Sequence, residues 1–317
     1  MKKILVTGGS GFLGSNLIDQ LFQNEDKINV FCIDNLYTGS KKNIEHHLKN
    51  KNFQFIHHDV CEPINLSVDF DEIYNLACPA SPIHYQRDPI QTIKTSFFGT
   101  LNVLNLAVEC KSKLLHTSTS EVYGNPKQHP QKESYWGNVN PIGIRSCYDE
   151  GKRIAETLIF DFIRKYSLDA KVVRIFNTYG PRMASDDGRV VSNFIIQALT
   201  NQDITIYGNG EQTRSFCFVD DLIEIIHKYM LSNEFNPGPF NIGNPDEYNI
   251  LELANLVTEV TKSKSVVTLK DIPEDDPEQR KPDITKIKNF LDWEPKVDLK
   301  EGLKRTVDFF KSEFKQS

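Results

Sequence analysis

The 317-residue sequence contains no apolar run near the roughly 18–20 residues that a membrane span requires. The short apolar stretch after Lys2 and Lys3 is broken at once by Gly8 and Gly9. It is too short for a secretory signal and reads as a first strand. An excess of positive charge is missing as well. The formal net charge is −6, which argues against a general nucleic-acid or acidic-membrane binder while leaving room for a locally basic pocket. The six cysteines, Cys32, Cys61, Cys78, Cys110, Cys147 and Cys217, form no Cys-x-x-Cys pair and no metal-ligand spacing. No metal is expected, and free thiols in a reducing cytosol are the simplest reading. Repeats, low-complexity tracts and linkers are absent too, so two closely packed lobes are expected.

Short β-rich runs at 4–7, 29–33, 53–57, 72–75 and 113–117 alternate with helical patterns at 11–22, 89–109 and 148–166, the last leading to a run at 172–176. That alternation predicts an α/β fold: a doubly wound, Rossmann-type parallel sheet with helices on both faces. The second half is richer in turn signals, such as Tyr207-Gly-Asn-Gly210, Asn236-Pro-Gly-Pro239 and Asn244-Pro-Asp246. Helices are expected there at 190–199, 220–231, 251–261 and 299–314. The division predicted is a dinucleotide-binding domain at 1–180, with 217–240 packing back onto it, and a smaller mixed α/β substrate lobe at 181–317. The acidic run Glu274-Asp275-Asp276 reads as a solvated loop.

Thr7-Gly8-Gly9-Ser10-Gly11-Phe12-Leu13-Gly14 follows the first strand and opens the first helix. Glycine serves there for the tight turn, for backbone approach to a pyrophosphate and for helix-on-strand packing. The helix N-terminus supplies free N–H groups and the positive dipole end. Asp34, twenty positions after Gly14 and ending the second strand, suits the two ribose hydroxyls and would repel a 2′-phosphate, favouring NAD over NADP. Asp59 and Val60, after the third strand, are candidates to border the adenine.

Tyr148 and Lys152, four apart in a helical stretch, share one face a turn apart. A phenol titrates near ~10; a neighbouring ammonium, together with the positive nicotinamide ring, is expected to favour the phenolate and so make Tyr148 a base for a reacting hydroxyl. Ser118-Thr119-Ser120-Glu121-Val122-Tyr123-Gly124 ends another strand, where a substrate must sit. Thr119 can hydrogen-bond that hydroxyl, and Glu121 can act on a neighbouring carbon.

At these residues the chain resembles the extended short-chain dehydrogenases, and among them the UDP-glucuronate decarboxylases. The likeness runs over essentially the entire length. It includes Asn75-Leu-Ala-Cys-Pro-Ala-Ser-Pro82, Tyr135-Trp-Gly-Asn-Val-Asn-Pro-Ile-Gly143, Arg145-Ser-Cys-Tyr-Asp-Glu-Gly-Lys-Arg153 and Arg174-Ile-Phe-Asn-Thr-Tyr-Gly-Pro-Arg182. It continues through Asp186-Asp-Gly-Arg-Val-Val-Ser-Asn193, Gln212-Thr-Arg-Ser-Phe216 and Asp275-Asp-Pro-Glu-Gln-Arg-Lys-Pro-Asp283. The resemblance implies Tyr148 and Lys152 as the dehydrogenase pair, with Thr119, Ser120 and Glu121 around the sugar. Asn35, Thr38, Gly39, Leu76, Lys94 and Thr178 are then counted with the cofactor. Tyr85, Asn177 and Arg189 are counted with the substrate, and Arg214 and Arg280 with its diphosphate.

Related 4,6-dehydratases carry an Asp where this chain has Ser120. That Asp protonates a departing 6-hydroxyl, whereas carbon dioxide leaves without a proton, so Ser120 disfavours dehydration. The resemblance thus implies UDP-glucuronate as substrate, UDP-xylose as product, tightly bound NAD, a homodimer and a cytoplasmic protein, the membrane anchor of some relatives being absent. A 4,6-dehydratase or 4-epimerase of the same fold is the nearest alternative, and a non-catalytic NAD-binding regulator a remote one.

Overall fold

The apolar run after Lys3 becomes β1 (Lys2–Thr7), an interior strand of a seven-stranded parallel sheet, in a computed structural model that describes residues 1–271 and 279–316. The acidic run at 274–276 and the start of the motif at 275–283 lie outside the described residues. After β1 come α1 (Phe12–Asn24), β2 (Ile28–Asp34), β3 (Phe53–His57), β4 (Glu72–Asn75), α2 (Pro82–Arg87), α3 (Pro89–Lys94), α4 (Thr100–Cys110), β5 (Lys113–Thr119), α5 (Ser146–Tyr166), β6 (Ala170–Ile175) and β7 (Thr178–Tyr179). The second half holds α6 (Val190–Leu199), β8 (Ile204–Tyr207), β9 (Thr213–Ser215), β10 (Cys217–Phe218), α7 (Val219–Leu231), β11 (Phe240–Ile242), β12 (Glu247–Asn249), α8 (Ile250–Thr261), β13 (Val267–Lys270), α9 (Thr285–Leu291) and α10 (Leu299–Gln316).

The strand order is β11-β6-β5-β4-β1-β2-β3. Ile4, Leu5 and Val6 are all fully buried, because helices cover both faces of the sheet and leave no polar side. The order reverses between β1 and β4, and the crevice at their carboxyl ends is where such sheets bind ligands. From the second half, α7 packs against α1, and β11 extends the sheet beside β6. Three small two-stranded sheets, β7 with β10, β9 with β12 and β8 with β13, build the region beyond.

Two helical readings change. The run at 89–109 is α3 and α4 joined by a π-turn at Thr95–Gly99. Gly99 there meets Val60 so closely that a Cβ would lie 2.8 Å from its Cγ2. The short helices α2 and α9 went unread, since six or seven residues give too few turns to show a period.

The buried stripe of α5 is unusual, because it contains Tyr148, Asp149, Lys152 and Glu156 besides Ala155 and Ile159. Burying charge is costly unless it is paired. Glu156 is paired: it takes Arg174 Nε and Nη2 at 2.9 and 2.7 Å, and Ser118 Oγ at 2.6 Å. This contact fixes α5 to the carboxyl ends of β5 and β6, and so orients the residues one and two turns earlier.

Candidate active site

Two adjoining cavities of about 510 and 500 Å³ open at the carboxyl ends of the strands. Gly8, Gly11, Phe12, Leu13 and Gly14 line the first, between β1 and α1. Gly8 has φ +68° and lies against residues 76 and 77, where a Cβ would come within 2.9 Å of backbone. Only glycine accepts that turn without strain. Asp34 ends β2 in the same wall, its Oδ2 accepting from Ser10 N at 2.9 Å and its Oδ1 from Leu36 N at 2.7 Å. A carboxylate has about four acceptor positions, so two remain for a ribose. Burial pushes the Asp34 carboxyl above its ordinary value, while the two backbone N–H groups pull against that shift.

Asn35, Thr38, Asp59, Val60 and Leu76 line this cavity too. Asp59 Oδ2 accepts from Asn35 Nδ2 at 3.2 Å and from Gln91 Nε2 at 3.1 Å, tying the loops after β2 and β3 to α3. Two residues counted with the cofactor line neither cavity. Gly39 packs against the Asp34 carboxylate, where a Cβ would fall 2.9 Å from Oδ2. Lys94, at the end of α3, is exposed.

The second cavity collects Tyr85, Thr119, Ser120, Glu121, Tyr148, Lys152, Asn177, Thr178, Arg189, Arg214 and Arg280, with Arg189 shared between the two. Tyr148 stacks parallel on Tyr85 with ring centres 4.9 Å apart. Lys152 Nζ donates to Thr117 O at 2.8 Å and stands 6.0 Å from the Tyr148 ring centre. The expected depression of the Tyr148 pKa needs the nicotinamide ring as well as Lys152, and the chain by itself does not produce it. Burial holds the phenol well above its usual value and Cys78 adds to this, while the hydrogen bond with Thr119 works the other way. Burial likewise lowers Lys152. The protein alone keeps Tyr148 protonated.

Glu121 is not poised as a proton carrier either. Burial would raise its carboxyl, but Arg280 and Arg145 outweigh that and hold it at about 2. Arg145 Nη2 donates to its Oε2 at 2.6 Å, and Arg280 Nη1 donates to its Oε1. Arg280, expected at a diphosphate, has its guanidinium engaged here. It is 3% exposed and also reaches Ser120 Oγ at 3.2 Å and Gly124 O at 3.4 Å. A backbone bridge between residues 214 and 280 sets Arg214 beside it. Arg189 engages both oxygens of Asp187.

Sequence reasoning missed Arg145, although it begins a quoted motif; only the fold brings it across to Glu121. It also missed Arg182 and the α10 residues Phe309, Phe310, Glu313 and Phe314, which wall the first cavity. No local signal in the sequence ties the 309–314 stretch to the glycine turn. Separately, Asp19, His46 and His47 stand close enough to hold a metal ion.

A glycine turn and a strand-end Asp on a doubly wound sheet, with Tyr148 and Lys152 one turn apart over the next cavity, define a short-chain dehydrogenase of the extended kind. The family model described as GDP-mannose 4,6 dehydratase matches residues 5–306, and the chain belongs to that family. It is 55% identical over 309 residues to "UDP-glucuronic acid decarboxylase 4" of Arabidopsis thaliana, covering 98% of this chain and 68% of that protein. It is 50% identical over 312 residues to "UDP-glucuronic acid decarboxylase 1" of Xenopus tropicalis, covering 98% of this chain and 73% of that one. Among solved structures, the UDP-glucuronic acid 4-epimerase of Bacillus cereus in complex with UDP-glucuronic acid and NAD superposes with a TM-score of 0.88 at 28% identity, covering 98% of this chain and 99% of that one.

Proposed function

We propose that the chain decarboxylates UDP-glucuronate to UDP-xylose through a 4-keto sugar, with NAD in the glycine-walled cavity and the substrate in the cavity above Tyr148. The observation that carries this reading is the charge of the second cavity. Among the described residues, Glu121 is its only carboxylate, while Lys152, Arg145, Arg189, Arg214 and Arg280 all line it. In a chain of net charge −6, such a wall suits a diphosphate and a uronate carboxylate, which guanidinium groups recognise by paired hydrogen bonds. The 50–55% identities to named decarboxylases support the same reading.

Gly8, Gly11, Phe12, Leu13 and Gly14 would hold the dinucleotide phosphates, and Asp34 its ribose. NAD, when bound, supplies the hydride acceptor and later returns the hydride. Tyr148 Oη takes the proton of the C4 hydroxyl, with Thr119 hydrogen-bonded to it. Lys152, fixed on Thr117 O, and the positively charged nicotinamide ring would together favour the phenolate when the cofactor is bound. With C4 a ketone, the carboxylate on C5 leaves as carbon dioxide, its bonding electrons passing into an enolate, and this departure needs no proton donor. A proton from solvent then adds at C5, and hydride return to C4, with the Tyr148 proton going back to the C4 oxygen, completes UDP-xylose. The cavity matches a departure without a proton donor, since Ser120 is a poor acid and Glu121 stays ionised. Both features count against expulsion of a 6-hydroxyl.

The chain divides functionally into a dinucleotide-binding part, 1–180 with 217–240, and a substrate lobe in the remainder. Exposed Ile90, Ile93, Phe98 and Ile154 on the adjoining α3–α4 and α5 segments support a homodimer through that face. No helix among the described residues is long and apolar enough to cross a membrane, and all six cysteines are unpaired, which supports a cytoplasmic protein. The decisive test is incubation of the purified protein with UDP-glucuronate and no added NAD, with the product identified by NMR. UDP-xylose and carbon dioxide are expected. A product that keeps its carboxylate with C4 inverted would make the protein a 4-epimerase, and turnover of UDP-glucose alone would make it a dehydratase.

A further inference from the structure

Among the described residues, three lysine or arginine side chains line the first cavity, in company with Asp34, Asp59, Asp186, Asp187 and Glu313. Two of the three are engaged. Lys42 Nζ donates to Glu313 Oε2 at 2.8 Å, and Arg189 uses Nε and Nη2 on the carboxylate of Asp187. Arg182 differs. Its Nη2 donates to Asp19 Oδ2, but its Nη1 is buried and has no hydrogen-bond partner. A buried donor without an acceptor is disfavoured, and a charged one more so.

The arrangement around Arg182 holds it in place. Its φ is +73°, in the left-handed region that residues other than glycine rarely adopt. Asn16 Nδ2, on α1, donates to Pro181 O at 3.3 Å and ties this turn to the helix whose N-terminus faces the cavity. Asp19, one turn further along α1, is fixed from its other side. Its Oδ1 lies 2.7 Å from Nε2 of both His46 and His47. The Asp19 carboxylate is thus held through both oxygens, Oδ2 by Arg182 and Oδ1 by the two imidazoles. A guanidinium clamped at one end, on α1, thus keeps an unpaired donor in the wall of the cavity that starts at that helix.

We propose that Arg182 is a cofactor-binding residue whose Nη1 donates to the diphosphate of the dinucleotide, with Asp19 as its positioning residue. This rests on the NAD reading above. It identifies the cation that offsets the carboxylates of the cavity and complements the N–H groups of α1.

The test is calorimetric titration of the full chain, first stripped of any NAD that purifies with it, with NAD, ADP and adenosine. Arg182→Gln is expected to weaken NAD and ADP alike, by roughly ten- to hundred-fold, and to leave adenosine unchanged. Asp19→Asn should give a smaller loss, about three- to ten-fold, for the same two ligands. NAD and ADP affinities within about two-fold of the unmodified protein, or an equal loss for adenosine, would overturn the proposal. Where Arg182→Gln fails to fold, Arg182→Lys keeps the charge and loses the fork, and must show the same ligand-selective loss. If the unmodified protein does not bind NAD at all, the cofactor reading fails instead.

Discussion

The two cavities adjoin and share Phe12, Leu13, Leu76 and Arg189, yet they are built by opposite means. The cofactor cavity opens on a glycine turn and a helix N-terminus, and its charged lining among the described residues is mainly acidic, five carboxylates beside Lys42, Arg182 and Arg189. The substrate cavity reverses that balance, with Glu121 the one carboxylate among its described residues, beside Arg145, Lys152, Arg189, Arg214 and Arg280. A backbone cradle depends on what a residue lacks, and a guanidinium wall on what each residue reaches. Damage to the two should therefore separate cleanly.

The largest separation is expected from Tyr148→Phe. It removes the phenolic oxygen but keeps the stack on Tyr85, so decarboxylation should fall by ~10²–10⁴-fold while NAD affinity by calorimetry stays as it was. Near-normal carbon dioxide release would assign the base elsewhere. Ser120→Asp comes next. A second carboxylate beside Glu121 and the substrate's own should cost ten-fold or more, roughly, in kcat/KM for UDP-glucuronate, again without change in NAD binding. UDP-glucose should give no 4-keto-6-deoxy sugar with the unmodified enzyme.

Damage to the other cavity should read in reverse. Asp34→Ala should narrow the preference for NAD over NADP by about ten-fold, as judged from the two dissociation constants. An unmodified protein with equal affinities would contradict the role given to that carboxylate.

The smallest effect concerns two acids that feel the same arginines. Glu121 is held at about 2, so its contribution to stability is present above about pH 4.5 and lost as pH falls toward 2. Asp149 has the opposite sign. Burial pushes it up to about 8, Glu121 adds to this, and Arg145 and Arg280 oppose it. It folds as the neutral acid while the unfolded chain ionises near 4, so stability declines as pH rises from about 4 to about 8. Asp149→Asn keeps the neutral form. Its melting temperature should gain on the unmodified protein by several degrees, roughly, between pH 6 and 9. A constant difference across that range would mean that Asp149 is ionised in the fold.

What was legible in the sequence follows the same division. The sheet, the glycine turn, Asp34 and the Tyr148–Lys152 pair all declare themselves within a few dozen residues, by spacing and period. Arg145 could be quoted as part of a motif, but its contact with Glu121 crosses 24 positions and a change of element. Arg280 lines the second cavity, but its contact with Glu121 goes unforeseen, because nothing in the sequence orders its choice between a diphosphate and that carboxylate. The spacing of Tyr148 and Lys152 shows a neighbouring ammonium, but burial, a property of the fold, sets the direction of the Tyr148 pKa in the chain alone. The pairings β8–β13 and β9–β12 span strands of three or four residues, too short for alternation to show.

The wall of the cofactor cavity formed by Phe309, Phe310, Glu313 and Phe314 bears on how the protein comes into being. During synthesis the glycine turn emerges some 300 positions before α10. The cradle cannot be complete until these two stretches have met, and contacts so far apart in sequence form slowly. Dinucleotide binding then selects chains that have finished folding and stabilises them by mass action. Cofactor content of the freshly made protein becomes a measure of its maturation, independent of catalysis.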